Sequence, residues 1–345
     1  MRPPTIIEVA EAAGVSKATV SRVLRNQGPV SSQARQAVLR AVQEVGYTPN
    51  RVARSLKERV ASVIGVVVAD LANPYYVDVI HGIHQAADEA GQQVIIVSGH
   101  QVVGGEEAAI ETLLEFRVSG IILASTNLPM ATIARLSKGL PVAIEGRSDT
   151  PAKFDLVTSD DHVGGRLIID HLVGLGHQRI ALLEDDSPSG KDRKDAFTAA
   201  LRASQLASQA RHATCPSTSE GGHEAVTRLL RRGKHPTAIA CADDVIAIGA
   251  MSALQEAGLS IPGEVSVTGF DDIGLASLRQ FDLTTVRQER WEIGRRCLQL
   301  VHRRAQDDSV RPSRSILQPR LVIRGSTAPV PVSYTHLRAH ETRED

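Results

Sequence analysis

Thr5–Leu24, TIIEVAEAAGVSKATVSRVL, reads as two short helices joined by a tight turn. Thr5 with Glu8 three residues on is a capping box, so a helix is expected from Ile6. Ile6, Val9, Ala10 and Ala13 recur at helical spacing and give that helix one apolar face. Gly14 follows, where a helix ends with positive φ at little steric cost. Ser16 then caps a second helix through Leu24, with Val20, Val23 and Leu24 facing inward. Lys17, Ala18, Ser21 and Arg22 are left on its outer face, near its start. Short polar and basic groups at that end of a second helix suit the major groove, where base edges present donors and acceptors.

A third amphipathic helix is expected after Val30-Ser31, with Ala34, Val38, Val42 and Val45 on one face and Gly46 closing it. Then comes Tyr47-Thr48-Pro49-Asn50-Arg51-Val52-Ala53-Arg54-Ser55-Leu56, in which Pro49 disfavours a continuous helix and Asn50 caps a new one. VAEAAGVSKATVSRVL, VSSQAR and GYTPNRVARSLK together resemble the headpiece and hinge of the lac repressor/gal repressor (LacI) family of bacterial transcriptional regulators. The resemblance implies DNA contacts from Thr5, Ser16, Lys17, Ala18, Thr19, Ser21 and Arg22, and from the hinge residues Asn50, Arg51, Ala53, Arg54 and Leu56. It implies that Leu56 wedges into the minor groove and kinks the duplex, while Arg51 and Arg54 meet phosphates.

The charge distribution agrees. Residues 1–60 carry ten basic and four acidic side chains, a net of plus six, whereas the whole chain balances at 39 of each. The body is therefore acidic by six, and only the head calls for a polyanion. Cys215, Cys241 and Cys297 are scattered without metal spacing; they fit a reducing cytoplasm and predict neither a metal nor a disulfide framework. Neither a signal peptide nor an apolar run of the ~20 residues that a membrane span needs is visible, so a cytoplasmic protein without membrane association is expected.

From Ala61 the texture changes. Val63–Ala69 is nearly all apolar, as in a strand buried on both faces. Further strands are expected at Val94–Ser98, Gly120–Ala124, Val142–Glu145, Arg179–Leu183, Ala238–Cys241, Val265–Phe270 and Ile316–Val322. Helices are expected at Tyr76–Ala90, Glu106–Phe116, Gly164–Gly174, Asp192–Ala203, Glu220–Arg231, Val245–Ala257 and Glu289–Arg304. Such alternation predicts parallel βαβ units, too many for one compact sheet, and hence two lobes. The body also resembles the same family, whose core is like periplasmic sugar-binding proteins. The matches run from Asn73-Pro74-Tyr75-Tyr76 through Arg117–Ile122, Gly164-Gly165, His171-Leu172, Gly176-His177, Arg193 before Phe197, Asp243–Ala250 and VTGFDD to Leu283-Thr284-Thr285-Val286. Three positions depart from the family pattern. Phe281-Asp282 stand where two prolines are frequent, Gly146 where an aspartate is common, and Arg25 and Gly28 where an asparagine pair is usual.

The expected architecture is an all-α helix-turn-helix headpiece (1–48), a hinge (49–60), a two-lobed α/β periplasmic-binding-protein-like (type I) core (61–329) and a tail (330–345). The tail resembles translated adaptor sequence and lacks a tetramerising heptad. In open α/β sheets ligands bind beyond the carboxyl ends of strands. Asp70 to Tyr76, Glu145 to Arg147, Asp160, Asp161, Asp185 to Arg193, Asp243 and Asp271 all follow expected strands, and carboxylates with one arginine suit a polyhydroxyl ligand. The effector set chosen from them is Tyr75, Arg147, Asp160, Arg193, Asp243 and Asp271, with a plain helix cap as the lesser reading of Asp243. No G-x-G-x-x-G follows the first strand, and neither a P-loop nor a G-x-S-x-G elbow is present. His81 and His84 share a helix face without a third ligand, and His177 reads as structural. The expectation is a non-enzymatic, cofactor-free homodimer that binds palindromic operator DNA and a sugar-like effector. The competing reading is a soluble sugar-binding or α/β enzyme core with an accessory head.

Overall fold

The computed structural model describes residues 4–24, 28–47, 63–99, 102–231, 233 and 235–330. The chain divides into two compact units, Met1–Ala61 and Ser62–Asp345. The expected hinge contacts Asn50, Arg51, Ala53, Arg54 and Leu56, and the tail, lie outside the described residues.

The first unit holds α1 (Ile6–Ala12), α2 (Lys17–Leu24) and α3 (Ser32–Val45). The capping box forms at both ends: the Glu8 carboxylate accepts from the Thr5 N–H at 2.6 Å, and the Thr5 hydroxyl accepts from the Glu8 N–H at 3.4 Å. Ser31 caps α3, and Gly46 closes it at φ 66°. Val9, Ala10, Val20, Val23, Val38 and Ala41 are buried together as the core of this unit. Ala41 replaces Val42 and Val45 at its centre; those two are only partly buried.

The second unit has β1 (Val63–Val68), α4 (Tyr75–Glu89), β2 (Gln93–Ser98), α5 (Gly105–Glu115), β3 (Gly120–Ala124), α6 (Met130–Leu136), β4 (Val142–Glu145) and β5 (Asp155–Ser159). Next come α7 (Asp161–Gly174), β6 (Ile180–Glu184), α8 (Pro188–Ala203), β7 (Arg211–Thr214), α9 (Ser219–Leu230), β8 (Ala238–Cys241), α10 (Asp244–Glu256) and β9 (Ser266–Thr268). It ends with β10 (Thr285–Arg287), α11 (Arg290–Gln306), β11 (Arg314–Leu317) and β12 (Arg320–Val322). One lobe is built on a parallel sheet in the order β11-β5-β4-β3-β1-β2, the other on β7-β6-β8-β9, with an antiparallel β10-β12 pair. The chain passes between lobes at 159–161, 287–290 and 317–320. The expected single strand Ile316–Val322 is therefore two strands in two sheets, because Gln318 and Pro319 make the third crossing. Strands β5, β7 and β10 and helix α6 were not foreseen. Arg211–Thr214 alternates between half-buried and exposed and carries Arg211 and His212, so hydropathy hides it. Within the described residues no helix is long and apolar enough to cross a membrane.

Glycines set two close helix crossings. A Cβ at Gly294 of α11 would overlap the Val79 carbonyl of α4, and one at Gly82 would overlap the Trp291 carbonyl. In the other lobe, Gly222 of α9 faces the Ile246 carbonyl and Gly249 of α10 faces that of Ser219. Each crossing puts backbone on backbone, which only a missing side chain permits. Gly294→Ala should lower stability by about 1–3 kcal/mol or more through forced displacement of α4. Gly174→Ala, in a helix with open space around its Cβ, should be neutral or stabilising. Urea unfolding of both variants distinguishes the two sites; equal midpoints would show that the α4–α11 crossing relaxes freely.

Candidate functional site

The face of α2 expected to meet DNA is set by the packing of the headpiece. Val20 and Val23 bury one side of α2, which leaves Ser16, Lys17, Ala18 and Arg22 exposed and Thr19 and Ser21 half-buried. The Ser16 hydroxyl accepts from the Thr19 N–H at 3.1 Å and lies 2.9 Å from the Thr19 hydroxyl, so this pair shapes the helix start. The hydroxyl of Thr5 is committed to its capping box.

A cavity of about 560 Å³ opens between the two lobes of the core at the carboxyl ends of their strands. Tyr75, Arg193, Asp243 and Asp271 line it, together with Asn73, Tyr76, Glu145, Asp161, Asp185, Ser217 and Gln288. Arg193, buried on α8, is its organiser. Its Nη1 donates to the Ala242 carbonyl at 2.6 Å, its Nη2 lies 3.2 Å from Asp271, and its Nε lies 3.6 Å from Asp161. The guanidinium stacks over Phe270, 4.1 Å from the ring centre. Burial alone would lower its pKa, but the charges of Asp271 and Asp161 outweigh burial and hold it protonated. Asp271 also accepts from the Gln288 amide at 2.5 Å, and its own N–H donates to Val286 at 2.8 Å. Its φ of 116° is strained for a side chain that has a Cβ, a cost of about 1–3 kcal/mol that these fixed partners hold in place.

Across the cavity, the Glu145 carboxylate accepts from the Tyr75 hydroxyl at 2.6 Å and from Ser125 at 3.0 Å. Asp243 caps α10 through the Ile246 N–H at 2.7 Å and accepts from Ser217 with its other oxygen, so it is both helix cap and cavity wall. Burial pushes Asp271 and Asp161 up to about 6 and, helped by the charge of Asp271, Asp243 up to about 7.

Two expected effector residues sit elsewhere. Gly146 turns the chain at φ 75°, which sends Arg147 away to chelate Asp149 at 2.9 and 2.8 Å and to donate to the Thr126 and Leu128 carbonyls. Asp160 stands at the first crossing, where it caps α7 through Val163 and bonds Gln318 of the third crossing. Their neighbours Glu145 and Asp161 face the cavity instead. Alternation does not separate Glu145 from Arg147, which are two residues apart and share a face of an extended strand, so the turn at Gly146 decides. His177 is structural: its Nε2 lies 3.1 Å from the Ser266 hydroxyl and 3.0 Å from the Ala328 carbonyl.

The raised carboxyl pKa values set a pH dependence. The folded chain keeps a proton on Asp161 up to about pH 6, whereas the unfolded chain releases it near the ordinary value of 3.8. Folding therefore loses stability from this group as pH rises through that window, and the loss is complete above it. Relative to the parent, Asp161→Asn should gain about 1–3 kcal/mol between pH 4 and pH 7.5. Denaturant unfolding across that range measures it, and a constant difference at every pH would show that Asp161 ionises normally.

The chain is similar to known proteins in both of its units. The model of bacterial regulatory proteins of the lacI family matches residues 5–50, and a periplasmic binding protein-like domain matches residues 169–327. The HTH-type transcriptional regulator GalR of Escherichia coli (strain K12) is 32% identical over 336 residues, covering 96% of this chain and 98% of that protein. The lac repressor dimer bound to operator and the anti-inducer ONPF superposes with a TM-score of 0.83 at 31% identity, over 95% of this chain and all of that one. The transcriptional regulator CelR in complex with cellobiose superposes at 0.70 with 28% identity, over 94% and 99% of the two chains. With its helix-turn-helix head and two-lobed core, the chain belongs to the lacI family of bacterial regulatory proteins and is a DNA-binding transcriptional regulator.

Proposed function

We propose that the chain is a homodimeric, non-enzymatic repressor of the bacterial cytoplasm whose grip on a near-palindromic operator is set by a sugar-like effector in the core cleft. The observation that carries this reading is the buried Arg193 between Asp271 and Asp161 at the wall of a cavity whose other polar lining is carboxyl, hydroxyl and amide groups. Neutral polyols satisfy such a wall, because each hydroxyl both donates and accepts. The CelR complex holds cellobiose in a related fold, which supports the same ligand class here. Ser16, Lys17, Ala18, Thr19, Ser21 and Arg22 read the major groove, with Thr5 beside them. Asn50, Arg51, Ala53, Arg54 and Leu56 form the hinge contacts, with Leu56 as the minor-groove wedge.

Effector closure of the cleft changes the geometry of the lobes, and the coupling to DNA is reciprocal, typically 1–3 kcal/mol. Asp271→Ala should abolish the effector response while operator affinity stays within a few-fold of the parent. Operator binding measured with and without an active polyol tests this, and an unchanged response would remove Asp271 from the site. Arg22→Ala should cost about 1–3 kcal/mol on a selected operator and less on random duplex. Anisotropy titrations on both duplexes decide, and equal losses would make Arg22 a phosphate contact only.

A further inference from the structure

We infer that the effector carries no phosphate or carboxylate, and that an amino substituent on its polyhydroxyl ring strengthens binding. The inference rests on the proposal that this cleft is the effector site. Among the described residues lining the cavity, six are acidic (Glu145, Asp161, Asp185, Asp186, Asp243 and Asp271) and Arg193 is the single cation. An anionic ligand would need a positive group with charge to spare. Arg193 is already balanced by the carboxylates of Asp271 and Asp161, donates to the Ala242 carbonyl and lays its face against Phe270. Basic side chains on neighbouring segments are committed as well: Arg290 to Asp78 and the Asp271 carbonyl, Arg147 to Asp149, and Lys194 to buried Glu184 at 2.8 Å.

Helix N-termini, the other common anion sites, are also taken. Around the cavity, Asn73 accepts from the Tyr75 N–H at 2.9 Å, Ser187 from Gly190 at 3.0 Å, and Asp243 from Ile246 at 2.7 Å. A phosphate would lose its water shell against six carboxyl groups and gain no donor pair in return. An ammonium group does the reverse. It supplies three donors to a wall of acceptors and relieves the repulsion between Asp243 and Asp271, which adds to burial in raising Asp243. The edge-to-face pair Tyr75–Tyr76, with ring centres 5.3 Å apart, adds aromatic surface that welcomes a cation.

The test is calorimetry on the full chain with matched series of hexoses and disaccharides: the neutral sugar, its 2-amino form, its 6-phosphate and its uronate. For any scaffold that binds, the amino form should bind at least as tightly as the neutral one. The phosphate and uronate should bind at least thirty-fold more weakly. Asp186→Lys, at an exposed position on the rim, should narrow the phosphate penalty at least five-fold. A phosphate or uronate that binds more tightly than its neutral parent would overturn the inference while leaving the polyol reading intact. If no member of any series binds, the polyol reading itself falls and takes the inference with it.

Discussion

A guanidinium keeps its proton, so burying an arginine is costly unless acceptors and opposite charges surround it. Arg193 is that constraint here. Its acceptors come from three places far apart in sequence: Asp161 at the start of α7, the Ala242 carbonyl just after β8, and Asp271 beyond β9. Phe270 supplies a stacking face, and it fits only because Gly164 leaves its ring room: a Cβ there would lie 2.5 Å from the ring edge. One side chain thus ties the helix after the first crossing to two strands of the second lobe. Removing a partner of such a charge typically costs 3–5 kcal/mol, which makes the wall of the cleft one cooperative unit.

That unit is wired into the other lobe through Arg290, at the second crossing. Its Nη1 donates to the Asp271 carbonyl, while Nε and Nη2 donate to Asp78 of α4 at 3.0 and 2.6 Å. Any ligand that moves the Asp271 carboxylate also pulls on the backbone that Arg290 holds. On the open side of the cleft, Ser148 of one lobe donates to Asp192 of the other, by its hydroxyl at 2.8 Å and its N–H at 3.2 Å. These bonds are exposed, whereas the crossings bury Ser159, Gln288 and Leu317 and leave Glu289 and Gln318 exposed. A ligand that binds one arrangement of the two lobes better than another would shift the balance toward it.

The headpiece was legible almost residue by residue, because caps and apolar spacing are local signals. Thr5, Glu8, Ser16, Ser31 and Gly46 all act within four residues of themselves. The cleft was legible in outline, since residues after parallel strands face it; Tyr75, Arg193, Asp243 and Asp271 do line it. Two of the expected effector residues lie outside the cavity lining, one or two residues from side chains that are part of it. Glu145 ends β4 pointing inward, and Gly146 then reverses the chain, so Arg147 points out. Asp160 and Asp161 are adjacent, and only the crossing geometry decides which caps and which faces the ligand. Polar strands such as Arg211–Thr214 and the split of 316–322 depend on tertiary pairing, which hydropathy does not carry.

The charge arrangement of the chain then acquires a single explanation. The head carries surplus positive charge because its partner is a polyanion, and salt-dependent counterion release drives that contact. The cleft carries surplus negative charge, held in check by Arg193. The two surfaces therefore favour ligands of different charge: phosphates suit the basic head and are disfavoured among the carboxyl groups of the cleft. Segregating the two signs lets one chain bind both partners at once, and only such a ternary state makes the coupling between them measurable.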